Sequence, residues 1–210
     1  MNKCYDVRGV CPKDQLYGNS LTTLGEDYQN IRVLDATQDD GTRIWPRSAD
    51  AGRAVDPASM PTLLQRVGLK QYPLLDFYSM STCPVVPEIF KLTVEELEPG
   101  VHQFFKVQIV QEGDKSLTPI GEKYWMVVCN RLATLHDTLC EPPLRANGWP
   151  DISVNGPRKF VFSASKIGLA HVWIDKRASA IGCLVSEKLQ SRLAAFRITG
   201  IQFTAFDVAD

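Results

Sequence analysis

The chain has 210 residues, 44% of them hydrophobic and 22% charged, enough for one large or two small domains with a sizeable buried core. Its 23 Lys and Arg stand against 24 Asp and Glu, a formal net charge of -1, which argues against direct nucleic-acid binding, since that needs a strong basic excess. Apolar runs such as Trp125-Met126-Val127-Val128-Cys129 are too short to cross a bilayer as a helix. No apolar stretch follows Lys3, so neither a secretory leader nor a membrane span is expected and the protein should stay in the cytoplasm.

In chain order, the first thirty residues read as polar and turn-rich, punctuated by Gly9, Pro12, Gly18, Asn19, Ser20 and Gly25. Residues 31–34 suit a short strand, and 35–57 a loop with a turn at Asp39-Asp40-Gly41. A short helix is expected next, capped by Ser59, with Pro61 in its first turn, Leu63, Leu64 and Val67 on one stripe, and Gly68 ending it. Residues 74–78 read as extended. Pro87 opens a second helix whose apolar side is Ile89, Phe90, Val94 and Leu97, stopped by Pro99-Gly100. Residues 101–110 alternate as a strand with Phe105, Val107 and Ile109 on one face. After a turn at 112–115, residues 123–129 form a second strand, so the two should make a long antiparallel hairpin. A loop from Pro142 to Pro150 carries Trp149. Residues 159–162 and 170–174 suit short strands. Ser186 caps a last helix with Leu189, Leu193 and Phe196 on one side, and 201–206 is a terminal strand.

The two longer helices echo each other. Val86-Pro87-Glu88 opens one and Val185-Ser186-Glu187 the other; they lead to Gly100-Val101 and Gly200-Ile201. Duplicated helix-turn-strand units or chance would both produce this, since caps and Gly stops recur widely. The expected fold is α+β, with antiparallel sheets and a few packed helices. Residues 1–70 form a variable part of the same domain and 71–210 its core.

Catalytic motifs are sparse. No two glycines stand two apart, which removes G-x-G-x-x-G and G-x-S-x-G, and no Gly-Lys pair supports a phosphate loop. His102, His136 and His171 lie far apart, and none sits in H-E-x-x-H. The six Cys, at 4, 11, 83, 129, 140 and 183, contain no C-x-x-C, so they read as small buried hydrophobes in a reducing compartment. A hydrolase built on Cys83 with His102 or His171 is the strongest catalytic pairing available, and nothing in the spacing singles it out. No cofactor or metal is expected.

Binding features are clearer. Glu95, Glu96 and Glu98 gather at a helix C-terminus, where negative charge opposes the helix dipole. They form either a solvated face or a patch for a basic partner. Asp39 and Asp40, with Asp35, make a second acidic group that could equally be a turn. Trp149, between Gly148 and Pro150, is a large aromatic in a polar loop, suited to anchoring an interface or to covering a core edge.

Residues 75–203 carry a resemblance. Leu75-Asp76-Phe77, the Pro87-Glu88 helix opening, Phe104-Phe105-Lys106-Val107-Gln108, Tyr124 to Asn130 and Ala133-Thr134-Leu135-His136-Asp137 follow a family pattern. So do Val172-Trp173, Leu184-Val185-Ser186-Glu187-Lys188-Leu189 and Thr199-Gly200-Ile201-Gln202-Phe203, the last two blocks being the most specific. The chain resembles immunity family eleven of bacterial polymorphic toxin systems. The resemblance implies a non-enzymatic cytoplasmic protein that binds the toxin domain encoded next door and occludes its active site. Toxins near this family are often nucleases, whose basic surfaces would suit the acidic groups. The alternatives are an effector chaperone or secretion accessory protein and, less favoured, the cysteine hydrolase. A monomer or a homodimer is compatible with the sequence, an edge strand near the C-terminus being able to pair.

Overall fold

The computed structural model describes residues 2–15, 18–25, 30–37, 51–68, 72–80, 83–151, 153, 156–178 and 181–210. The strands are β1 (Asn2–Gly9), β2 (Ser20–Thr23), β3 (Leu63–Val67), β4 (Val85–Val86), β5 (Gln103–Gln111), β6 (Pro119–Val127), β7 (Arg131–Leu132), β8 (Val161–Ser163), β9 (Val172–Asp175), β10 (Cys183–Ser186) and β11 (Ile201–Ala209). The helices are α1 (Glu88–Leu97), α2 (Ala164–Ile167) and α3 (Glu187–Ala194). A six-stranded sheet runs β7-β9-β10-β1-β11-β8 and a five-stranded sheet β2-β3-β5-β6-β4. The fold is α+β, but the sheets are mixed. β3–β5, β7–β9 and β8–β11 are parallel, each pair joined by a long connection, as parallel neighbours require.

The expected hairpin is β5 with β6, in register from Gln103↔Val127 to Ile109↔Gly121. Val107 and Ile109 turn inward while Lys106 and Gln108 are exposed, the alternation of a half-buried strand. In α1 the buried residues are Phe90, Thr93 and Val94, which share one helical face. Ser186 caps α3 by accepting the Leu189 N–H, and Leu189 and Leu193 are buried. Phe196 lies beyond the helix and is exposed rather than on its buried side.

Three local expectations fail. Residues 31–34 form no strand, only an isolated bridge between Val33 and Val55. Leu63 to Val67 is a strand, not a helix, because its alternate residues Leu64 and Arg66 point inward between β2 and β5. Inside, the Arg66 guanidinium donates to Gln111 Oε1 and the Tyr72 carbonyl. Only a 3-10 turn, Pro57–Ser59, precedes it, capped by Asp56 rather than Ser59. The polar N-terminus also contains β1, an interior strand of the six-stranded sheet. Its inward Asp6 disguised it, being satisfied by Arg8 Nε at 2.5 Å and Gly182 N–H at 3.2 Å.

The helical echo has a structural counterpart. β4-α1-β5 and β10-α3-β11 are both strand-helix-strand units. In each, the flanking strands are antiparallel to one strand between them: β6 in the first, β1 in the second. The unit containing β6 is continuous in sequence, whereas β1 reaches its place from the other end of the chain. Gly100 and Gly200 adopt φ of 72° and 77° at matching positions. A Cβ on Gly200 would come within 2.6 Å of the Phe77 carbonyl, so this turn needs glycine both for its φ and for that approach.

The units share a core. Phe90 and Val94 of α1, Leu189 and Leu193 of α3, and Val7, Val86, Met126 and Val185 form one buried cluster. A second cluster fills the five-stranded sheet around Trp125, and a third backs the six-stranded sheet around Phe162 and Trp173. Both tryptophans satisfy their indole N–H, Trp125 on the Pro61 carbonyl at 2.8 Å and Trp173 on Thr134 Oγ1 at 3.0 Å. No helix among the described residues is long and apolar enough to cross a membrane.

Candidate partner-binding surface

The three glutamates at the end of α1 part company. Glu98 belongs to the interior: its side chain is 7% exposed and that of His102 0%. One Glu98 oxygen accepts from His102 Nε2 at 3.0 Å and from the Val172 N–H at 2.8 Å; the other accepts from Asn130 Nδ2 at 3.0 Å. His102 Nδ1 accepts the Cys129 N–H at 3.2 Å, which places the ring proton on Nε2. Burial pushes the Glu98 carboxyl up, but the bonds from His102 and from the His171 and Val172 N–H groups outweigh it and hold it below its ordinary range. Glu98 therefore ties α1, β6 and β9 together and leaves the candidate surface. An i,i+4 relation to His102 was the available signal.

Glu95 and Glu96 remain accessible. Glu95 lies 3.7 Å from Lys91, and Glu96 reaches across to Arg192 of α3 at 2.7 Å. Both charges are locally compensated, so the net negative field here is smaller than the sequence suggests. Asp39 and Asp40 lie outside the described residues. Asp35, their neighbour, accepts the Thr37 N–H at 2.8 Å, which holds its carboxyl below the usual range.

Trp149 is 42% exposed at the tip of a braced loop. Arg145 N–H donates to the Trp149 carbonyl, Gly148 N–H to the Arg145 carbonyl, and Trp149 N–H to Asn147 Oδ1. Asp151 Oδ1 receives Arg145 NH2 at 2.6 Å and the Ser153 hydroxyl at 2.7 Å. The Ser153 hydroxyl and the Arg145 guanidinium hold the Asp151 carboxyl far below its usual range. Gly148, at φ 78°, packs so closely that a Cβ would lie 2.8 Å from Arg177 NH1. Arg177 and Lys166 both approach Asp137, at 3.8 and 2.7 Å. An exposed aromatic on a braced backbone thus follows Gly148, which packs on Arg177 of a mixed-charge cluster. Asp137, Lys166 and Arg177 joined it without a sequence signal, because three separate segments bring them together.

The cysteine-histidine pairings find no support. Cys83 is buried in the cluster around Trp125. His102 is committed to Glu98 and Cys129, and His171 Nδ1 lies 2.7 Å from Ser186 Oγ. Burial pushes His171 down from its ordinary value. All six cysteines are free, and Cys4, Cys83, Cys140 and Cys183 are buried. Burial raises the Cys4 thiol to about 12 and also raises Cys11, Cys129, Cys140 and Cys183, which makes them poor nucleophiles at neutral pH. Among the described residues no group of three His, Cys, Asp or Glu could hold a metal ion.

No curated protein matches the chain. The profile of the immunity protein family Imm11 matches residues 28–208, so the match takes in α1, α2, α3 and every strand from β3 to β10, with β11 but for its last residue. It begins well before residue 71, inside the segment expected to be variable. Membership implies immunity against a toxin and suggests a role other than catalysis. With 28–208 of its 210 residues covered, the chain belongs to the immunity protein family Imm11.

Proposed function

We propose that this protein acts in the cytoplasm by binding its cognate toxin domain and occluding the toxin's active site, with Trp149 as the central anchor. The observation that carries this reading is the braced loop. The backbone that carries this large aromatic is held by its own bonds and by the Arg145–Asp151 pair, so the loop loses little freedom on binding, and exposed aromatics of this kind dominate interface energies. Arg145, Asp137 and Lys166 supply a polar rim around it. The acidic charge of Glu95 and Glu96, and of Asp39 and Asp40, steers a basic partner, a nuclease among the candidates.

The test is co-expression with the product of the neighbouring toxin gene. Wild-type protein should rescue growth and co-purify with the toxin, and Trp149→Ala should lose both while folding normally. Co-purification with a toxin that stays active would favour the chaperone reading. Full protection by Trp149→Ala would remove the loop from the interface.

A further inference from the structure

We infer that the chain forms a two-fold dimer through β11, whose free edge pairs antiparallel with the same strand of a second copy about Phe203. This inference concerns the protein alone and does not rest on the proposed toxin contact.

The inner side of β11 is paired with β1 from Asn2↔Val208 to Gly9↔Ile201. The outer side meets β8 only at Asp207, Val208 and Ala209. No other described strand pairs with the stretch from Ile201 to Phe206 on that side. The direction of its backbone groups follows from one bond. Val10 N–H donates to the Gly200 carbonyl at 2.9 Å, so these opposed residues turn toward each other. In an antiparallel ladder the bonded pairs alternate. Gln202, Thr204 and Phe206 therefore bond to β1, while Ile201, Phe203 and Ala205 direct N–H and C=O outward.

Among the described residues, the free edges of β2, β4, β6 and β7 are short or defended. The stretch of β6 beyond β4 carries Pro119, Glu122 and Lys123; β2 has four residues, and β4 and β7 two each. Charge, proline and shortness are the usual means of keeping edges from pairing. From Ile201 to Phe206 the outer edge has none of them: no charge, no proline and no glycine. The nearest charge on the strand, Asp207, is engaged by Lys3 at 2.5 Å.

The occupant that fits is another uncharged strand with the same spacing of outward groups, and β11 is itself such a strand. Two-fold pairing about Phe203 sets Ile201 opposite Ala205, Phe203 opposite Phe203 and Gln202 opposite Thr204. Outward groups then meet outward groups, and each of the three outward residues both donates and accepts. The apolar members lie on the face where Ile201 and Phe203 join the core shared by α1 and α3, so that core would continue across the axis. Gln202 and Thr204 are exposed on the other face. The window is bounded at both ends. At Gly200 the chain turns away, and at Asp207 β8 begins. The pairing places each copy's turn beside the other's β8.

The experiment is sedimentation velocity of the full chain from low to several hundred micromolar. Wild type should pass reversibly to twice 23.4 kDa. Gln202→Lys/Thr204→Lys puts like charges opposite one another in the dimer, at positions exposed within one copy. It should weaken association roughly tenfold or more while leaving the circular dichroism unchanged. Mixing it with Gln202→Glu/Thr204→Glu should restore the dimer, an outcome specific to this register. Ala205→Pro removes an outward N–H that the ladder with β1 does not use, and should also be monomeric. A wild type that stays monomeric at every concentration overturns the inference. So does a dimer that survives the lysine pair, or a monomer whose lysine pair loses only toxin binding, which would give the edge to the toxin.

Discussion

Two carboxylates in this molecule do the same chemistry in opposite places. Glu98 gathers an imidazole, an amide and a backbone N–H in the interior. Asp151 gathers a guanidinium and a hydroxyl at the base of an exposed loop. Inside, the partners have no water to fall back on, so the carboxylate holds the fold together. Outside, water can replace any partner, so Asp151 contributes to the shape of the loop and little to global stability. A cluster of acidic residues in a sequence can thus contain a structural member and surface members that differ in their effect when removed.

The largest expected effect comes from breaking the interior site. Glu98→Ala leaves His102 Nε2 and the Val172 N–H without their acceptor and removes one of two acceptors from Asn130 Nδ2, and should cost about 1–3 kcal/mol of unfolding free energy in urea titration; a loss under about 0.5 kcal/mol would mean that the cluster does not brace the fold. Next is Trp149→Ala. It should weaken toxin binding by about 2 kcal/mol, roughly thirtyfold by calorimetry, with stability changed by less than about 0.5 kcal/mol. That reversal of effects is the sharpest form of the comparison.

The pH response tests the interior side in another way. The folded Glu98 carboxyl gives up its proton more readily than an unfolded one, near about 4.3. Its stabilisation is therefore present above that value and lost as pH falls through the lower folded value. His171 is pushed down by burial, so the unfolded chain takes up its proton first as pH drops below about 6.5, and stability declines there too. Stability measured against pH should fall in acid, and Glu98→Gln should flatten the lower part of the curve. An unchanged curve would place the acid sensitivity elsewhere.

Smaller effects belong to the exposed side. Asp151→Ala should loosen the loop and weaken toxin binding a few-fold, less than Trp149→Ala, with no shift in the unfolding midpoint. Glu96→Ala, which removes the exposed pair with Arg192, should cost no more than about 0.5 kcal/mol of stability. A larger loss would show that this bridge between α1 and α3 matters more than its exposure suggests.

Several elements were legible because their signals are local. Alternation in 101–110 announced β5, and the Ser186 cap and its i+3 and i+7 leucines announced α3, whereas the offset of Gly100 and Gly200 left related units and chance both open. The strand at Leu63–Val67 was hidden because Leu63, Leu64 and Val67 also fit one helical stripe. The strand at Asn2–Gly9 was hidden because an inward Asp6 reads as surface until its partners Arg8 and Gly182 are known. Asp137, Lys166 and Arg177 carry no mark of their meeting near Trp149, since nothing local links residues so far apart.

By itself, then, the sequence determined the short-range elements: the hairpin, the two longer helices, the glycine turns and the family resemblance. These rest on caps, periodicity and backbone freedom within a few residues. Tertiary structure alone decided that β1 completes the second unit from the far end of the chain. It also decided that Glu98 is interior while Glu96 is not, and that no described strand pairs with the outer side of β11 from Ile201 to Phe206. Each depends on long-range pairing, where burial and register reward contacts that no local pattern encodes.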